Sequence, residues 1–340
     1  MKILILGGTG LISSAIVRQG LAAGHEIVVV NRGKRPSPFA SQIETICADR
    51  REENFASKLE KVKADAVIDM ISYNAADARQ TVQLFQGKTS HLIFTSSSAA
   101  YKRPFHSFPL REDAEELWDD PGFAYAYYKA EMERYLRQAR KEQPIPITII
   151  RPSLTFGAGA TNFGLLRQNY NVVHRMRQHL PLVMVGEGTI PWSFTFSDDL
   201  AKGYILSCCN PKTFNDDFHV TNTEVVLWED LYRAIGEIIG ETPQLVYVPT
   251  QTLQMADPDL FGHLWYEKRF PGVFSMEKFQ KAVPAYQPSI ALKQGMSDLI
   301  DWWEKNACEI DSGKMRLEDT ICQCVFDFQK TLCEKLSGQA

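Results

Sequence analysis

The sequence contains no apolar run approaching the length of a membrane span. It has no excess of basic residues. Against 37 Lys and Arg stand 41 Asp and Glu, a formal net charge of −4, so no global field draws the chain to nucleic acid or to an anionic membrane. No internal repeat is present, which excludes a solenoid or propeller. There is no Cys-x-x-Cys pair. Cys47, Cys208, Cys209, Cys308, Cys322, Cys324 and Cys333 are scattered and odd in number, as expected of free thiols in a reducing compartment rather than a disulfide framework or a metal site. Met1-Lys2-Ile3 runs straight into an apolar strand and leaves no room for a signal peptide, so the expected location is the cytoplasm. What remains is an ordinary globular composition, 44% apolar and 23% charged over 340 residues, enough for a large α/β domain and a smaller partner.

The first thirty residues are the most informative. Met1–Leu6 is a buried strand pattern, followed by Gly7-Gly8-Thr9-Gly10. Ile12, Ala15, Ile16 and Ala23 then recur at helical spacing, and Ile27–Val30 is a second apolar strand ending at Asn31-Arg32. A glycine turn between a strand and a helix lets backbone approach a pyrophosphate closely. The helix start then aims unpaired N–H groups and a positive dipole end at the phosphates. Dinucleotide binding is the reading; a tight βαβ turn without a ligand is the plain alternative.

Further strands are expected at 43–47, 66–71, 91–95 and 147–151, alternating with helices at 54–62, 75–85 and 124–141. That alternation predicts a parallel sheet with helices on both faces. Beyond Pro152 the pattern loosens. Helices are expected over 168–179, from a Ser197 cap through Ile205, over 227–240 and over 290–306. Extended pieces are expected at 182–188, 194–196 and 218–221. An irregular stretch rich in Pro and aromatics covers 249–288, and a last helix ends in a polar tail, Ser337–Ala340.

Tyr125-Ala126-Tyr127-Tyr128-Lys129 holds the candidate chemistry. Residues i and i+4 share a helix face, so Tyr125 and Lys129 lie side by side. An adjacent ammonium stabilises phenolate, which makes tyrosine usable as an acid or base near neutrality. Ser97, at the end of a central strand, is placed to hydrogen-bond a reacting oxygen. Taken alone, Tyr-x-x-x-Lys is a common accident of packing.

Together these motifs resemble the extended short-chain dehydrogenase/reductases of the NAD-dependent epimerase/dehydratase family, from Met1 to about Asn306. The likeness rests on Gly7-Gly8-Thr9-Gly10, on Phe94-Thr95-Ser96-Ser97-Ser98-Ala99-Ala100-Tyr101, on Tyr125 and Lys129 followed by Ala130-Glu131, on Arg151–Gly157 and on Phe194–Leu200. The resemblance implies a Rossmann fold, a doubly wound parallel α/β sheet, with a smaller interleaved C-terminal α/β substrate domain. The expected division is 1–168 and 190–222 for the cofactor domain, 169–189 and 223–306 for the substrate domain, and 307–340 for a C-terminal helix and tail. It implies Ser97, Tyr125 and Lys129 as catalytic residues, with Lys129 also on the nicotinamide ribose. It implies cofactor contacts from Gly7, Thr9, Gly10, Leu11, Ile12, Asn31, Arg32, Asp49, Arg50, Ile71 and Ser72, substrate contacts from Ser98, Ser153 and Trp192, no metal, and a homodimer joined through the Tyr125 helix. The expected reaction is oxidation, reduction or epimerisation at a secondary alcohol or ketone of a sugar-like small molecule, with epimerase, dehydratase and reductase chemistry all open.

Three departures qualify the likeness. Ser13 stands where the family has a third glycine. The second strand ends in Asn31-Arg32 rather than an acidic residue; with no carboxylate to repel a 2′-phosphate, and with Arg32 and Arg35 near, the NAD(P) preference leans to NADP. Trp192 occupies the position of the arginine with which sugar-nucleotide members grip a diphosphate, and Ser153 stands where some have Asn. Arg167, Arg175 and Arg177 are candidate substitutes, and Trp192, Phe194, Tyr247, Phe261, Trp265, Tyr266 and Phe270 suggest an apolar or stacking pocket. The sequence Arg32-Gly33-Lys34 is similar to that of chloroplast stem-loop-binding proteins of the same family. It raises a second reading, a non-catalytic Rossmann protein that binds RNA or regulates, against which the net charge argues. A salt-dependent gel shift with structured RNA separates the two; no binding at low salt ends the second.

Overall fold

The computed structural model describes residues 1–338. It divides into two compact units: Met1–Thr155 with Ser193–Thr223 and Val273–Ile290, and Phe156–Trp192 with Glu224–Gly272 and Ala291–Ala340.

The first unit is built on seven strands. In chain order these are β1 (Lys2–Leu6), β2 (Glu26–Asn31), β3 (Glu44–Cys47), β4 (Ala66–Asp69), β5 (His91–Thr95) and β6 (Ile147–Arg151), followed by the strand Asp217–His219. They lie side by side as β3-β2-β1-β4-β5-β6 with Asp217–His219 outermost, and every pair is parallel. The reversal of order between β1 and β4 opens a crevice at their C-terminal ends, where open α/β sheets bind ligands.

Period-two alternation divides the strand residues between two buried faces. Ile3, Ile5, Val29, Ile68, Ile93 and Ile150 pack against Ala15 and Ile16 of α1 (Leu11–Ala22) and Leu200, Tyr204 and Ile205 of the helix Ser197–Ser207. Leu4, Leu6, Val28, Val67, Leu92, Phe94 and Ile149 pack against Phe55 of the short α2 (Phe55–Lys58), Val82 and Phe85 of α3 (Ala75–Phe85), and Met132 and Leu136 of α4 (Ala124–Glu142). Full burial on both sides explains why these strands read as nearly continuous apolar runs.

Several local expectations shift. The helix expected over 54–62 is one turn, Phe55–Lys58, and that over 168–179 is Asn171–Arg177. Ser197 is the first residue of its helix; Phe196 holds the cap position, with no side-chain hydrogen bond. The expected unit boundary at 168 falls at 155, because Phe156 packs at a tilt against Phe163 and Phe163 edge-to-face against Trp303, all in the second unit. The irregular stretch returns to the first unit over 273–290. There Leu110 N–H donates to Val273 O (2.8 Å), Phe279 enters the core, and the Ser289 and Ile290 N–H groups donate to Asp199.

The second unit pairs the strand Leu182–Val185 in parallel with Leu245–Val248 and carries the helices Trp228–Ile239, Leu292–Lys305 and Ser312–Ser337. The last helix belongs to this unit rather than standing apart. Glu318, one turn and a half into it, accepts from Val183 N–H (2.8 Å) and Gln168 Nε2 (3.0 Å). Of the expected polar tail, Ser337 closes the helix and Gly338 caps it; residues 339–340 lie outside the described residues. All seven cysteines are free, and no helix among the described residues is long and apolar enough to cross a membrane.

Three histidines with little access to solvent make stability pH-dependent: His91, His219 and His263. His91 Nδ1 accepts from Cys209 N–H (3.2 Å) while its Nε2 bonds Thr148 Oγ1 (2.8 Å), the pattern of a neutral ring, and burial pushes its pKa down to about 4. Burial, with Arg151 nearby, pushes His219 down to about 3, and burial pushes His263 down to about 4. Between about pH 6.5 and 4 the unfolded chain takes up these protons and the folded one does not, so stability falls as pH falls, by about 1.4 kcal/mol per pH unit for each histidine. Urea midpoints across that range check this. A His91→Gln variant should lose about a third of the histidine-driven slope, and an unchanged slope contradicts the assignment.

Candidate active site

The crevice at the C-terminal ends of β1 and β2 is a cavity of about 750 Å³, lined by Gly7, Thr9, Gly10, Leu11, Ile12, Asn31, Arg32, Asp49, Arg50 and Ile71, all expected from the sequence, and by Ser13, Val30, Lys34, Arg35, Ala48, Arg51 and Met70. Gly7 has φ of +91°, and a Cβ there would lie 2.2 Å from Ile71 Cγ2; a Cβ on Gly8 would lie 2.4 Å from Val29 Cγ1. Only glycine fits this turn without displacing the neighbouring strand ends. Ser13 replaces the third glycine without disturbing the turn: its Oγ accepts from Gly10 N–H (2.9 Å) and bonds back to Gly10 O (3.3 Å). Arg32, Lys34, Arg35, Arg50 and Arg51 set five cations around the cavity against one lining carboxylate, Asp49. The glycine cradle, the helix start and this excess of positive charge fit a nucleotide pyrophosphate.

Within that lining some side chains are otherwise engaged. Asn31 Oδ1 accepts from Gly33 N–H (2.8 Å) and so folds back on its own loop. Arg50, an expected cofactor contact, has its guanidinium buried, donating to Ser72 Oγ (2.9 Å), Asp69 Oδ2 (3.0 Å) and Thr81 Oγ1 (2.9 Å). Its neighbour Arg51 is the exposed one, paired with Asp77 at 3.3 Å. Ser72, another expected cofactor contact, is buried and donates its hydroxyl to Asp69 (2.7 Å). Nothing in the sequence distinguishes Arg50 from Arg51; the difference lies in which one the strand end turns inward.

The catalytic candidates lie on adjacent elements of the same unit. Ser97 follows β5 in extended conformation, partly exposed, with Oγ accepting from Ala99 N–H (3.1 Å). Tyr125 and Lys129 sit one turn apart at the start of α4. Tyr125 is 40% exposed, and its ring lies 6.0 Å from Tyr73 and 6.5 Å from Phe123. Lys129 is buried. Its ammonium donates to Ser72 O and Thr95 O, both at 2.8 Å, at the ends of β4 and β5. Burial pushes the Lys129 pKa down to about 8, against the carboxylates of Asp69, Glu133 and Asp77, which raise it; Arg50 lowers it. Thr95 is a junction, since its Oγ1 also accepts from Tyr204 (2.8 Å).

The expected substrate residues are not open groups. Ser98 is buried, with N–H donating to Pro152 O (3.0 Å) and its carbonyl accepting from Arg103 (3.2 Å). Ser153 Oγ belongs to a buried hydroxyl cluster with Thr195 Oγ1 (2.9 Å), Thr221 Oγ1 (2.8 Å) and the Ser193 carbonyl. In the second unit, Trp192 is fully enclosed, its ring 5.8 Å from Trp228. Arg175 and Arg177 pair with Asp319 (2.7 Å) and Glu304 (2.5 Å). The cation beside Trp192 comes instead from Lys268, whose Nζ lies 5.2 Å from the ring centroid. It is 76 positions away in sequence, beyond the reach of motif reading.

Residues 3–220 match the model of the NAD dependent epimerase/dehydratase family. Among curated proteins, the chain is 24% identical over 290 residues to 2'-dehydrokanamycin reductase of Streptomyces kanamyceticus, covering 84% of this chain and 80% of that one. It is also 24% identical over 317 residues to the chloroplast stem-loop binding protein of 41 kDa b of Arabidopsis thaliana, covering 87% and 78%. Among solved structures, an epimerase from Methanothermobacter thermautotrophicus superposes with a TM-score of 0.75 at 15% identity, covering 90% of this chain and 93% of that one. UDP-glucuronic acid 4-epimerase from Bacillus cereus in complex with NAD gives 0.71 at 19%, covering 92% and 99%. The likeness in structure bears out the Rossmann fold. With more than half its length matched by the family model, this chain is a member of the NAD dependent epimerase/dehydratase family, an enzyme of the extended short-chain dehydrogenase/reductase type.

Proposed function

We propose that the chain oxidises, reduces or epimerises a secondary alcohol or ketone of a sugar-like small molecule, with Tyr125 as the proton-transferring residue. The observation that carries this reading is the placement of Lys129. Its ammonium is buried one helical turn from a half-exposed phenol and is held by two backbone carbonyls at the sheet ends. A desolvated cation on the same helix face favours phenolate, which suits Tyr125 to take a proton from a substrate hydroxyl or return one to a carbonyl. Ser97 holds the same oxygen through its hydroxyl. Two of the three Lys129 N–H groups are taken by the carbonyls, leaving one for a ribose hydroxyl. When bound, a nicotinamide dinucleotide supplies the hydride acceptor or donor that this proton transfer needs. Gly7–Gly10 and the start of α1 would hold its pyrophosphate.

The cofactor is read as NADP. Asn31 brings no charge, and Arg32, Lys34, Arg35 and Arg51 are the cavity residues able to pair with a 2′-phosphate. Titrating the full chain with NADPH and NADH, followed by tryptophan fluorescence, should give tighter binding of NADPH, and Arg32→Ala/Arg35→Ala should erase the difference. A preference for NADH of about tenfold, equivalent to ~1.4 kcal/mol, contradicts it. The 2'-dehydrokanamycin reductase relative supports a polyhydroxylated, amino-sugar-like substrate class, and the UDP-sugar epimerases a related one. Watching the nicotinamide absorbance during turnover separates the reactions: a reductase consumes it, whereas an epimerase returns it in each cycle.

A further inference from the structure

The turn between β4 and α3 has no regular secondary structure, yet it carries two functional duties. Ile71 lines the cavity, and the Ser72 carbonyl accepts a hydrogen bond from Lys129 Nζ at 2.8 Å. What fixes this turn is one buried carboxylate. Asp69 Oδ1 accepts from the N–H groups of Ile71 (2.9 Å) and Ser72 (2.8 Å); Oδ2 accepts from Ser72 Oγ (2.7 Å) and Thr81 Oγ1 (2.6 Å). The Arg50 guanidinium completes the set, pairing with Asp69 at 3.0 Å and reaching Ser72 Oγ at 2.9 Å. The Arg50 and Asp69 side chains are 5% and 1% exposed. A buried ion pair contributes little to stability compared with apolar packing, so its place beneath the turn calls for a role in geometry or charge.

We propose that the Arg50–Asp69 pair is a positioning device for Lys129, clamping the Ile71–Ser72 turn so that the Ser72 carbonyl holds the ammonium in place and balancing the charge around it. Arg50 and Asp69 are thus positioning residues that act through Ser72; they do not touch the reacting atoms. The inference rests on the reading of Lys129 as the partner of Tyr125.

The charges facing Lys129 are Asp69 at the end of β4, Asp77 on α3, Glu133 one turn further along α4, and Arg50 after β3. The carboxylates favour the protonated amine and Arg50 disfavours it, so removing either partner moves the titration of Lys129 in opposite directions. Asp69→Asn keeps side-chain oxygen for the turn but removes the negative charge. Arg50→Gln removes the positive one, and Arg50→Lys restores it.

The full chain labelled with [ε-13C]lysine tests this by NMR, with the Lys129 signal assigned through Lys129→Arg. In the wild type the signal should titrate near pH 8. The midpoint should fall by about half a unit or more in Asp69→Asn, rise by a similar amount in Arg50→Gln, and return toward the wild-type value in Arg50→Lys. A purely structural role lowers the melting temperature of both variants and leaves the midpoint in place. Midpoints that stay put in folded protein, or move the same way in both variants, overturn the proposal. Because the two signs are fixed independently, either variant suffices if the other does not fold. NADPH titration of Lys129→Met tests the underlying reading separately. Affinity equal to wild type contradicts the role of Lys129 at the ribose and leaves the midpoint result standing.

Discussion

Tyr125→Phe should abolish turnover while leaving NADPH affinity within about twofold of wild type. The change deletes one oxygen from a residue that is 40% exposed, so neither packing nor the Gly7–Gly10 turn is disturbed. The expected loss is that of a general acid/base, about 10²- to 10⁴-fold in kcat. It should appear in kcat far more than in KM, because the hydroxyl acts in the transition state rather than in ground-state binding. Lys129→Met should differ in kind. It empties the position between the Ser72 and Thr95 carbonyls and leaves two buried acceptors unpaired, so NADPH affinity, stability and kcat fall together. A Tyr125→Phe protein that retains more than about a tenth of wild-type kcat refutes the acid/base role.

The second large effect is on stability. Arg151, at the end of β6, is fully buried. It donates to Glu133 through Nε (2.8 Å) and Nη2, to Asp217 Oδ2 through Nη2 (2.9 Å) and to Tyr101 Oη through Nη1 (2.7 Å). Glu133 also accepts from Ser96 (2.5 Å), next to the candidate catalytic serine. Arg151→Met fills the space but leaves Glu133 facing only Ser96 and the more distant Arg137, 3.7 Å away. Breaking one side of a buried pair costs about 3–5 kcal/mol, which in a domain of this size lowers the melting temperature by roughly 10 °C. Asp217 is cushioned by Arg137 (2.7 Å) and Arg140 (2.6 Å), so Glu133 is the group that suffers. Adding Glu133→Leu to Arg151→Met should therefore recover much of the loss. A single variant that melts within about 2 °C of wild type contradicts this account of the network.

The glycine turn of the candidate site was legible because its constraints are local. A glycine with φ of +91° and a Cβ-forbidding neighbour leaves a mark in the sequence, as do strands buried on both faces. Tyr125 and Lys129 were legible because four residues make one helical turn. What escaped is set by contacts distant in the chain. Arg50 and Arg51 are adjacent and identical in type, and only the Asp69–Ser72–Thr81 cluster decides which turns inward. Ser153 reads as a substrate group until Thr195 and Thr221 are seen to use its hydroxyl. Lys268 supplies the cation that the Trp192 position lacks, but through space rather than by motif. The return of residues 273–290 to the first unit is similarly hidden, because it is held by Asp199 and Leu110 rather than by a periodic pattern.

On the proposed mechanism, the Gly7–Gly10 turn and the Tyr125–Lys129 pair serve one bound dinucleotide. A crystal structure of the full chain grown with NADPH should show the pyrophosphate on the Gly7–Gly10 turn, the adenosine end toward Arg32 and Arg51, and the nicotinamide ribose on Lys129. A dinucleotide bound with its nicotinamide away from Tyr125 and Lys129, or one that leaves the glycine turn empty, contradicts that mechanism.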